Sequence, residues 1–214
     1  MNKINLNYLR KQILLDAKKP ITLNGWSRNI FYEISRKSKF TYNEITTLFP
    51  NGYKQLLETY LNSINIMMTE ESKKTNFIRL KVHQRIRKLI LIRLNIMNNE
   101  KKLISNTYLH LLMPQNFKLA FKCLYKTVDQ IWFLSGDNST DFNFYSKRAI
   151  LGSIYTNTLM HFINNDNIDE TIKLLDNQLK QVSQIPKLKN KIKDSVSNIP
   201  YIFKFLKNTK AFKR

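Results

Sequence analysis

Glycine and proline are scarce in this sequence, with four glycines and five prolines among 214 residues. Proteins built from β-strands need frequent tight turns, and these two residues are prominent in such turns. The scarcity therefore favours an all-α protein. The sequence also has only one cysteine, Cys123, which excludes an internal disulfide and is typical of a reducing compartment. We expect Cys123 to be a small buried apolar residue.

Acidic residues are also few. Asp and Glu number 15 against 36 Lys and Arg, which gives a formal net charge of +21. Such an excess attracts polyanions, either nucleic acid or an anionic membrane surface, and charge alone does not choose between them. The excess is uneven. Residues 26–60 contain five basic and three acidic residues, whereas residues 73–102 contain ten basic residues and a single acid, Glu100. The second segment predicts an amphipathic helix with a basic outer face.

No apolar run approaches the roughly 20 residues that a membrane-spanning helix needs. The first residues have neither the long apolar region of a signal peptide nor the Arg- and Ser-rich pattern of a transit peptide. We therefore expect a cytoplasmic protein of the bacterial type that is associated peripherally with the inner face of the cell membrane.

Residue patterns of catalytic and metal sites are missing as well. His83, His110 and His161 lie far apart on different predicted helices, without the paired spacing of a zinc site. There is no glycine-rich phosphate loop and no paired carboxylate motif of the di-iron kind. The sequence therefore predicts no catalytic residue, no metal and no cofactor. An enzyme would have to assemble its site from distant residues.

The N-terminal part predicts several helices and a sharp turn. Thr41 is placed to cap one helix, residues 49–52 break it, and a connector is expected from Pro20 to Gly25. The predicted helices are 4–18, 26–37, 41–48 and 53–69. This arrangement is typical of the N-terminal part of a TetR-type regulator, with a helix-turn-helix-like part at about 22–69. Its small local charge argues against DNA binding.

Two aromatic-rich segments flank a polar turn at Gly136 and Asp137. Apolar residues recur every three or four positions at 117–132 and again at 142–162, which predicts two amphipathic helices. Ser139, Thr140 or Asp141 can cap the second helix. Each aromatic taken singly is more readily a core residue, but their combined excess favours an apolar cavity between the helices.

This stretch contains a run of residues in a recognisable order: Asp129, Ile131, Trp132, Gly136, Asp137, Ser139, Thr140, Asp141, Phe142, Asn143, Tyr145, Lys147, Arg148, Ala149, Leu151, Tyr155 and Thr158. With these residues it resembles the COQ-nine family of coenzyme Q biosynthesis. The resemblance extends from Gly25 and Trp26 through 49–52 to 174–176, so it covers most of the chain. It implies a TetR-like fold and an apolar pocket that binds an isoprenoid lipid.

From the resemblance and the helical stripes we expect lipid contact from the inward residues of both helices. They are Phe121, Leu124, Tyr125, Val128, Ile131, Trp132, Leu151, Ile154, Tyr155 and Leu159.

Phe144 and Tyr145 are adjacent, so both cannot be central in one narrow buried stripe, and we expect one of them to be exposed. In the resembling family an aromatic pair at this position meets the quinone-ring hydroxylase. The resemblance therefore implies a partner surface at Asp141, Phe144, Tyr145 and Arg148. Asp129, Asp141, Lys147 and Arg148 are expected to form ion pairs between the two helices, although for Lys147 a separate solvated charge is an alternative at least as strong.

The last segment, 186–214, has nine basic residues and one acid, Asp194. We expect it to be a basic amphipathic arm that follows a single domain at 1–185 and lies in a membrane interface. Packing of its apolar stripe on the body, or a disordered tail, are the alternatives. The residues expected at the membrane are Ile192, Val196, Ile199, Ile202, Phe203, Lys204, Phe205, Leu206 and Lys207.

Together these features predict an all-α, TetR-like, non-catalytic accessory protein of ubiquinone biosynthesis. It would bind an isoprenoid lipid or ubiquinone precursor at an anionic membrane and present it to the hydroxylase. The alternative is a TetR-type DNA-binding regulator with an apolar effector pocket. TetR-like proteins are commonly dimers, so the resemblance also implies a homodimer.

Overall fold

The structure, a computed structural model, describes residues 3–137 and 142–197, with side chains described at 6–137 and 144–182. Helices and turns, and no strand, make up these two ranges, which confirms the expected all-α class. A single 3₁₀ turn at Pro114–Asn116 leads into the seventh helix. The helices are α1 Lys3–Asn24, α2 Ile30–Ser35, α3 Tyr42–Leu48, α4 Tyr53–Lys73, α5 Val82–Asn98, α6 Lys101–Leu111, α7 Phe117–Leu134, α8 Phe142–Asn164 and α9 Ile168–Ser197.

Helices α1 to α4 make up the N-terminal part, in which the short α2 and α3 precede the long α4. The helix-turn-helix-like part at about 22–69 stays a prediction. The Thr41 hydroxyl accepts a hydrogen bond from the Glu44 amide at 3.3 Å, and the Glu44 carboxylate accepts one from the Thr41 amide at 2.8 Å, so α3 begins at a capping box as predicted. Gly52 precedes α4 with φ +70°, a conformation that glycine adopts without steric cost. The break at 49–52 is therefore confirmed.

Two expected helix ends at prolines are wrong. Helix α1 continues through Pro20 to Asn24, and Pro20 itself is buried beside Ala17 and Ile21. Proline has a helical φ and loses one backbone hydrogen bond, and burial of its neighbours offsets that loss. The second concerns the helix that the apolar spacing of Ile168, Ile172, Leu175, Leu179 and Val182 predicts at about 167–183. Helix α9 instead runs through Pro186 to Ser197. The division between a body at 1–185 and an arm at 186–214 stays a prediction.

The expected basic helix at 73–102 is shorter than predicted. Helix α4 ends at Lys73 and α5 begins only at Val82. Between them the side-chain oxygen of Asn76 accepts a hydrogen bond from the Ile78 amide at 3.0 Å, an Asx turn that replaces helical hydrogen bonding. Arg93, counted among the basic residues of this segment, is fully buried and does not belong to the outer face.

The core lies between α4, α5, α7, α8 and the first half of α9, and α1 closes it from the helix-turn-helix side. Trp26 joins the two parts, because its indole nitrogen donates to the Thr107 hydroxyl on α6 at 3.0 Å. The Lys18 ammonium pairs with Glu100, whose other oxygen accepts a hydrogen bond from Tyr60 at 3.2 Å. None of the helices in the described ranges is long and apolar enough to cross a bilayer.

Candidate functional site

Helices α7 and α8 pack against each other and leave an open apolar groove along their outer side. This α7–α8 groove has a volume of about 710 Å³, within the size range of small-molecule sites. Its walls are mostly aromatic and aliphatic side chains, with Arg148 at one end. The lining residues are Phe121, Leu124, Tyr125, Val128, Tyr145, Arg148, Ala149, Gly152, Ser153, Thr156, Asn157 and Met160.

A smaller inner cavity of about 220 Å³ lies between α6, α7 and α8. It shares Phe121, Leu124, Thr156 and Met160 with the α7–α8 groove, so the two spaces adjoin. The walls again are almost entirely apolar. The other lining residues are Leu61, Tyr108, Leu111, Leu112, Phe117, Ala120, Cys123, Thr127, Tyr155 and Leu159.

Six of the ten residues expected to contact lipid line one of these spaces. Phe121 and Leu124 line both, Tyr125 and Val128 line the groove, and Tyr155 lines the inner cavity. Leu159 also lines the inner cavity.

The other four expected lipid contacts line neither space. Ile131, Leu151 and Ile154 are buried in the core. Trp132 is half-buried, and its indole nitrogen donates to the Lys147 carbonyl at 3.2 Å. The two helices turn these four side chains toward the body.

Three lining residues that the sequence reasoning missed are Gly152, Thr156 and Met160 on α8. They stand four positions apart, so they share one helix face. Their four-residue spacing is visible in the sequence, but glycine and threonine are not counted as hydrophobic residues when an apolar helix face is sought.

An exposed aromatic ridge borders both spaces on α7. Phe117 is 73% exposed, Phe121 63% and Tyr125 39%, and they follow one another at intervals of four. Leu112, just before α7, is exposed too and lines the inner cavity beside Phe117. We call these four residues the aromatic ridge. A continuous exposed apolar surface of this kind is unusual unless something binds to it.

Ion pairs join the end of α7 to the start of α8. The Arg148 Nε lies 2.7 Å from Asp129, and the Arg148 Nη1 lies 3.5 Å from Asp137. Lys147 pairs with Asp137 at 2.7 Å. The expected ion pair between Asp129 and Arg148 is thus confirmed, whereas Lys147 pairs with Asp137, which was not among the expected partners. Asp141, together with the capping candidates Ser139 and Thr140, lies outside the described residues.

The pair Phe144 and Tyr145 divides as expected into one exposed and one covered residue. Tyr145 is 69% exposed, whereas Phe144 is half-buried beneath the Arg148 guanidinium. The two rings meet edge to face with centroids 5.2 Å apart. Arg148 is itself buried and held by two aspartates. Arg148 therefore packs against the Phe144 ring and does not project toward a partner. We call Phe144 and Tyr145 the partner patch.

The arm residues expected at a membrane lie largely outside the described part. The backbone of α9 includes Ile192 and Val196, whose side chains are outside the described range. The remaining seven, Ile199, Ile202, Phe203, Lys204, Phe205, Leu206 and Lys207, follow residue 197 and lie outside the described residues.

A buried polar cluster lies behind the inner cavity. The Arg93 Nε donates to the Tyr155 hydroxyl at 2.7 Å, and its Nη1 donates to the Asn65 side-chain oxygen at 2.5 Å. The Tyr108 and Tyr155 hydroxyl oxygens are 3.4 Å apart. Burial raises the pKa of Tyr108 well above its ordinary value, and Tyr155 raises it further. The tyrosine therefore stays neutral and keeps its proton for hydrogen bonding.

Cys123 is buried in the wall of the inner cavity, as expected. Burial, assisted by the nearby Glu58 charge, raises the pKa of its thiol to about 11. A thiol of such high pKa is a poor nucleophile at neutral pH. Within the described residues no three His, Cys, Asp or Glu side chains come together as a metal site.

The fold places the chain among TetR-like helical proteins. The crystal structure of a TetR transcriptional regulator from Nitrosomonas europaea matches it with a TM-score of 0.67 over 82% of this chain and 98% of that one. The two sequences are only 18% identical, so the likeness concerns the fold alone.

Part of the sequence is similar to one protein family. Residues 117–186 match the COQ9 family model, a region that contains α7, α8 and the start of α9. The rat ubiquinone biosynthesis protein COQ9 is 29% identical over 65% of this chain and 43% of its own length. The human protein is 24% identical over 87% of this chain and 61% of its own length. The resemblance to the COQ-nine family is confirmed.

The chain therefore spans less than two thirds of the length of these relatives. Their names carry the word mitochondrial, which is a statement about those proteins. A frog COQ9-A protein from Xenopus laevis is also similar, with 27% identity over 81% of this chain.

Proposed function

We propose that this chain is a non-catalytic accessory protein of ubiquinone biosynthesis that binds an isoprenoid lipid or quinone precursor and presents it to the quinone-ring hydroxylase. The similarity to COQ9 proteins supports the involvement in this pathway. The observation that carries the lipid part is the α7–α8 groove with its adjoining inner cavity. All lining residues of the groove lie within the region that the COQ9 family model matches, whereas the inner cavity is also lined by Leu61, Tyr108, Leu111 and Leu112, which precede that region.

The apolar walls of the groove suit a hydrocarbon chain. Burial of apolar surface contributes about 25 cal/mol per Å², and an extended chain laid along α7 and α8 would be covered on one side by Leu124, Val128 and Ala149. Gly152 lines the groove without a side chain, and a Cβ added there would lie at ordinary contact distance, 3.9 Å, from the Leu124 side chain. A branched isoprenoid chain fits a groove of this kind.

The aromatic ridge supports an approach to a membrane. Lys118, Lys122 and Lys126 each follow one ridge residue of α7 by one position, so basic side chains flank the apolar ones. Interfacial helices combine apolar and basic residues in this way, because the apolar groups enter the acyl boundary while the ammonium groups stay with anionic headgroups. Lys122 and Lys126 share Glu58, which offsets part of this charge. The basic arm at 186–214 is a second proposed contact.

The partner patch supports transfer to a second protein. Tyr145 is exposed and also lines the α7–α8 groove, so a protein that covers Tyr145 also covers one end of the groove. Exposed tyrosines with a rigid base are frequent anchors of interfaces. The ion pairs of Arg148 supply that rigid base.

A DNA-binding regulator is the competing function, since the fold is that of TetR proteins. Helix α3, in the position of a recognition helix, has the sequence YNEITTL and carries one charged residue, Glu44. Affinity for DNA depends on neutralising phosphates with Lys and Arg. We therefore expect no gel shift with duplex DNA at physiological salt. A homodimer and a peripheral location at the inner face of the cell membrane remain further parts of the proposal.

Reconstitution with the pathway's quinone-ring hydroxylase tests presentation. The measured quantity is the rate at which the enzyme converts a precursor embedded in vesicles, with and without this protein. Gly152→Trp fills the groove, whereas Gly152→Ala adds one methyl group at contact distance. Wild type and Gly152→Ala should accelerate the reaction, and Gly152→Trp should not. Equal acceleration by all three proteins would contradict the proposal.

A further inference from the structure

Arg93 is an arginine placed where a charge is costly. It is 0% exposed and lies in α5 among core residues of α4, α7 and α8. Its two hydrogen bonds go to the neutral side chains of Tyr155 and Asn65. No carboxylate in the described ranges pairs with it, and its Nη2 nitrogen has no hydrogen-bond partner there. A buried cation without a counter-charge costs several kcal/mol, so its presence calls for an explanation.

The inner cavity lies next to this charge. Tyr155 and Tyr108, whose hydroxyls form the cluster with Arg93, both line the cavity. Thr127 lines it too, and its hydroxyl donates to the same Asn65 oxygen that Arg93 contacts, at 3.2 Å. Three lining residues therefore connect the cavity wall to the guanidinium.

The lining residues on the two sides of the inner cavity differ in their exposure to solvent. Tyr155 is 1% exposed and Thr127 3%, whereas Leu112, Phe117 and Phe121 on the other side are more than half exposed. The ridge residues thus border the mouth, and the residues bonded to the Arg93 cluster form the inner wall. A ligand that enters at the mouth meets the cluster last.

The hydrogen bonds of the Tyr155 hydroxyl indicate which kind of group is missing at the inner wall. The Tyr155 oxygen accepts from the Arg93 Nε, which leaves its own proton to donate. Its neighbour Tyr108 is 3.4 Å away, a long distance for a bond between two hydroxyls. A hydroxyl that accepts from a guanidinium is also a stronger donor, because hydrogen bonds in a chain polarise one another. The missing group is an acceptor oxygen.

We propose that the inner cavity binds the oxygen-bearing head of the lipid, held by hydrogen bonds from Tyr155 and Tyr108, with Arg93 as the positioning residue that orients Tyr155. The inference rests on the proposed lipid-binding function and adds the orientation of the ligand. The head is a ring carbonyl or an ionised carboxylate, both of which accept hydrogen bonds. The apolar chain then extends outward past Leu124 and Met160 into the α7–α8 groove.

This orientation has a consequence for delivery. The head lies inside while the chain lies beside the partner patch, so the ring is shielded from water in the free protein. Transfer to an enzyme then requires the ring to leave the cavity, and contact at the patch is where that release can be coupled to binding.

Three probes that share a farnesyl chain on a six-membered ring test the proposed orientation of the lipid head. They are farnesylbenzene, which has no oxygen, farnesylbenzoquinone, which has neutral carbonyls, and 4-farnesylbenzoate, which is ionised. Equilibrium dialysis of this protein, prepared without detergent, gives the dissociation constant of each probe. We expect at least one oxygen-bearing probe to bind about tenfold more tightly than farnesylbenzene, the size of one well-formed hydrogen bond. The better of the two identifies the head as neutral or ionised.

The variants remove single hydroxyls and keep the rings. Tyr155→Phe and Tyr108→Phe should each abolish most of the preference for the oxygen-bearing probe while leaving farnesylbenzene binding unchanged. Tyr108→Phe keeps the Arg93 bonds to Tyr155 and Asn65, so it is informative even if Tyr155→Phe folds poorly. Thr156→Val is the matched control, because it removes a hydroxyl from the walls of both spaces without touching the cluster. Arg93→Lys should reduce the same preference.

The outcomes separate the two proposals. If all three probes bind equally, and the tyrosine variants change nothing, the orientation is wrong and the lipid site stands. If Thr156→Val lowers the preference as much as Tyr155→Phe does, the head lies elsewhere in the cavity and the inference also fails. If none of the probes binds, the proposed lipid-binding function fails, and the inference fails with it.

Discussion

The Arg148 guanidinium stacks on the ring of Phe144, with its carbon 3.2 Å from the ring centroid. Both residues lie in the first two turns of α8, and Arg148 also reaches back to Asp129 on α7 and to Asp137 after it. One side chain therefore fixes both the angle between the two helices and the base of the partner patch.

Replacing this arginine should destabilise the fold. Arg148→Met leaves Asp129 without its recorded ion-pair partner and removes one partner from Asp137, which is 5% exposed. We expect a loss of about 2 kcal/mol in the free energy of unfolding, less than for a fully buried pair because Asp129 is partly solvated. Urea denaturation measures it. Lys74→Met, which breaks an exposed pair with Glu71, is the control and should cost under about 0.5 kcal/mol. Equal losses would refute the structural role.

Tyr145→Glu should weaken binding to the quinone-ring hydroxylase by about tenfold or more, because it places a charge at an apolar anchor. Surface plasmon resonance with the purified enzyme measures this. Phe133→Glu is the matched control, since Phe133 is exposed to a similar degree and lines neither space. If the Tyr145 variant binds as wild type does, or if both variants lose the same affinity, the partner patch is not the binding surface.

Phe117→Glu and Phe121→Glu should each reduce flotation with anionic vesicles at low salt by about tenfold, since each loses an apolar contact and adds a repelled charge. Tyr32→Glu changes an equally exposed aromatic of α2, far from α7 in the chain, and should float as wild type does. Deletion of 186–214 measures the contribution of the arm. If only the deletion reduces flotation, the membrane contact belongs to the arm and not to the ridge.

Glu58 should make stability depend on acid pH. Burial raises the pKa of its carboxyl, but hydrogen bonds from Lys122 and Lys126 lower it by more, and the net pKa is below its ordinary value. A lowered pKa contributes stability above the unfolded-state value of about 4.3, and this is lost as pH falls through the folded-state value.

The substitution Glu58→Gln should therefore cost about 1 kcal/mol at pH 7, and the difference should shrink as the pH falls through the lowered folded-state pKa of Glu58. Thermal unfolding across this pH range measures the difference. Glu70→Gln, at a more exposed carboxylate whose pair with Lys73 is 3.9 Å long, is the control and should show almost no difference. A Glu58→Gln cost that stays the same throughout the acid range would show that the ion pairs are not its cause.

Local signals in the sequence predicted local structure well. Thr41 and Glu44 stand at capping-box spacing, and the cap is formed. The stripes of α7 and α8 predicted two adjoining helices with an apolar space between them. Periodicity identifies which residues share a face, however, and not what that face meets. Phe121 and Tyr125 were expected to point into a pocket, and they border an open groove instead.

The remaining features depend on contacts between distant residues. Arg93 looks like one more basic residue in a basic segment, and only the approach of Asn65 and Tyr155, 28 and 62 positions away, makes it a core residue. Pro20 looks like a helix end, and only burial of its neighbours keeps α1 continuous. Gly152 carries no apolar signal, although the absence of its side chain shapes the groove.

Mass spectrometry of the organic extract from protein purified without detergent tests the lipid-binding proposal most directly. The account predicts an isoprenoid or quinone in stoichiometric amount in wild-type protein and in Gly152→Ala, with a large reduction in Gly152→Trp. An extract that contains no lipid, or phospholipid alone in the same amount in all three proteins, would contradict it.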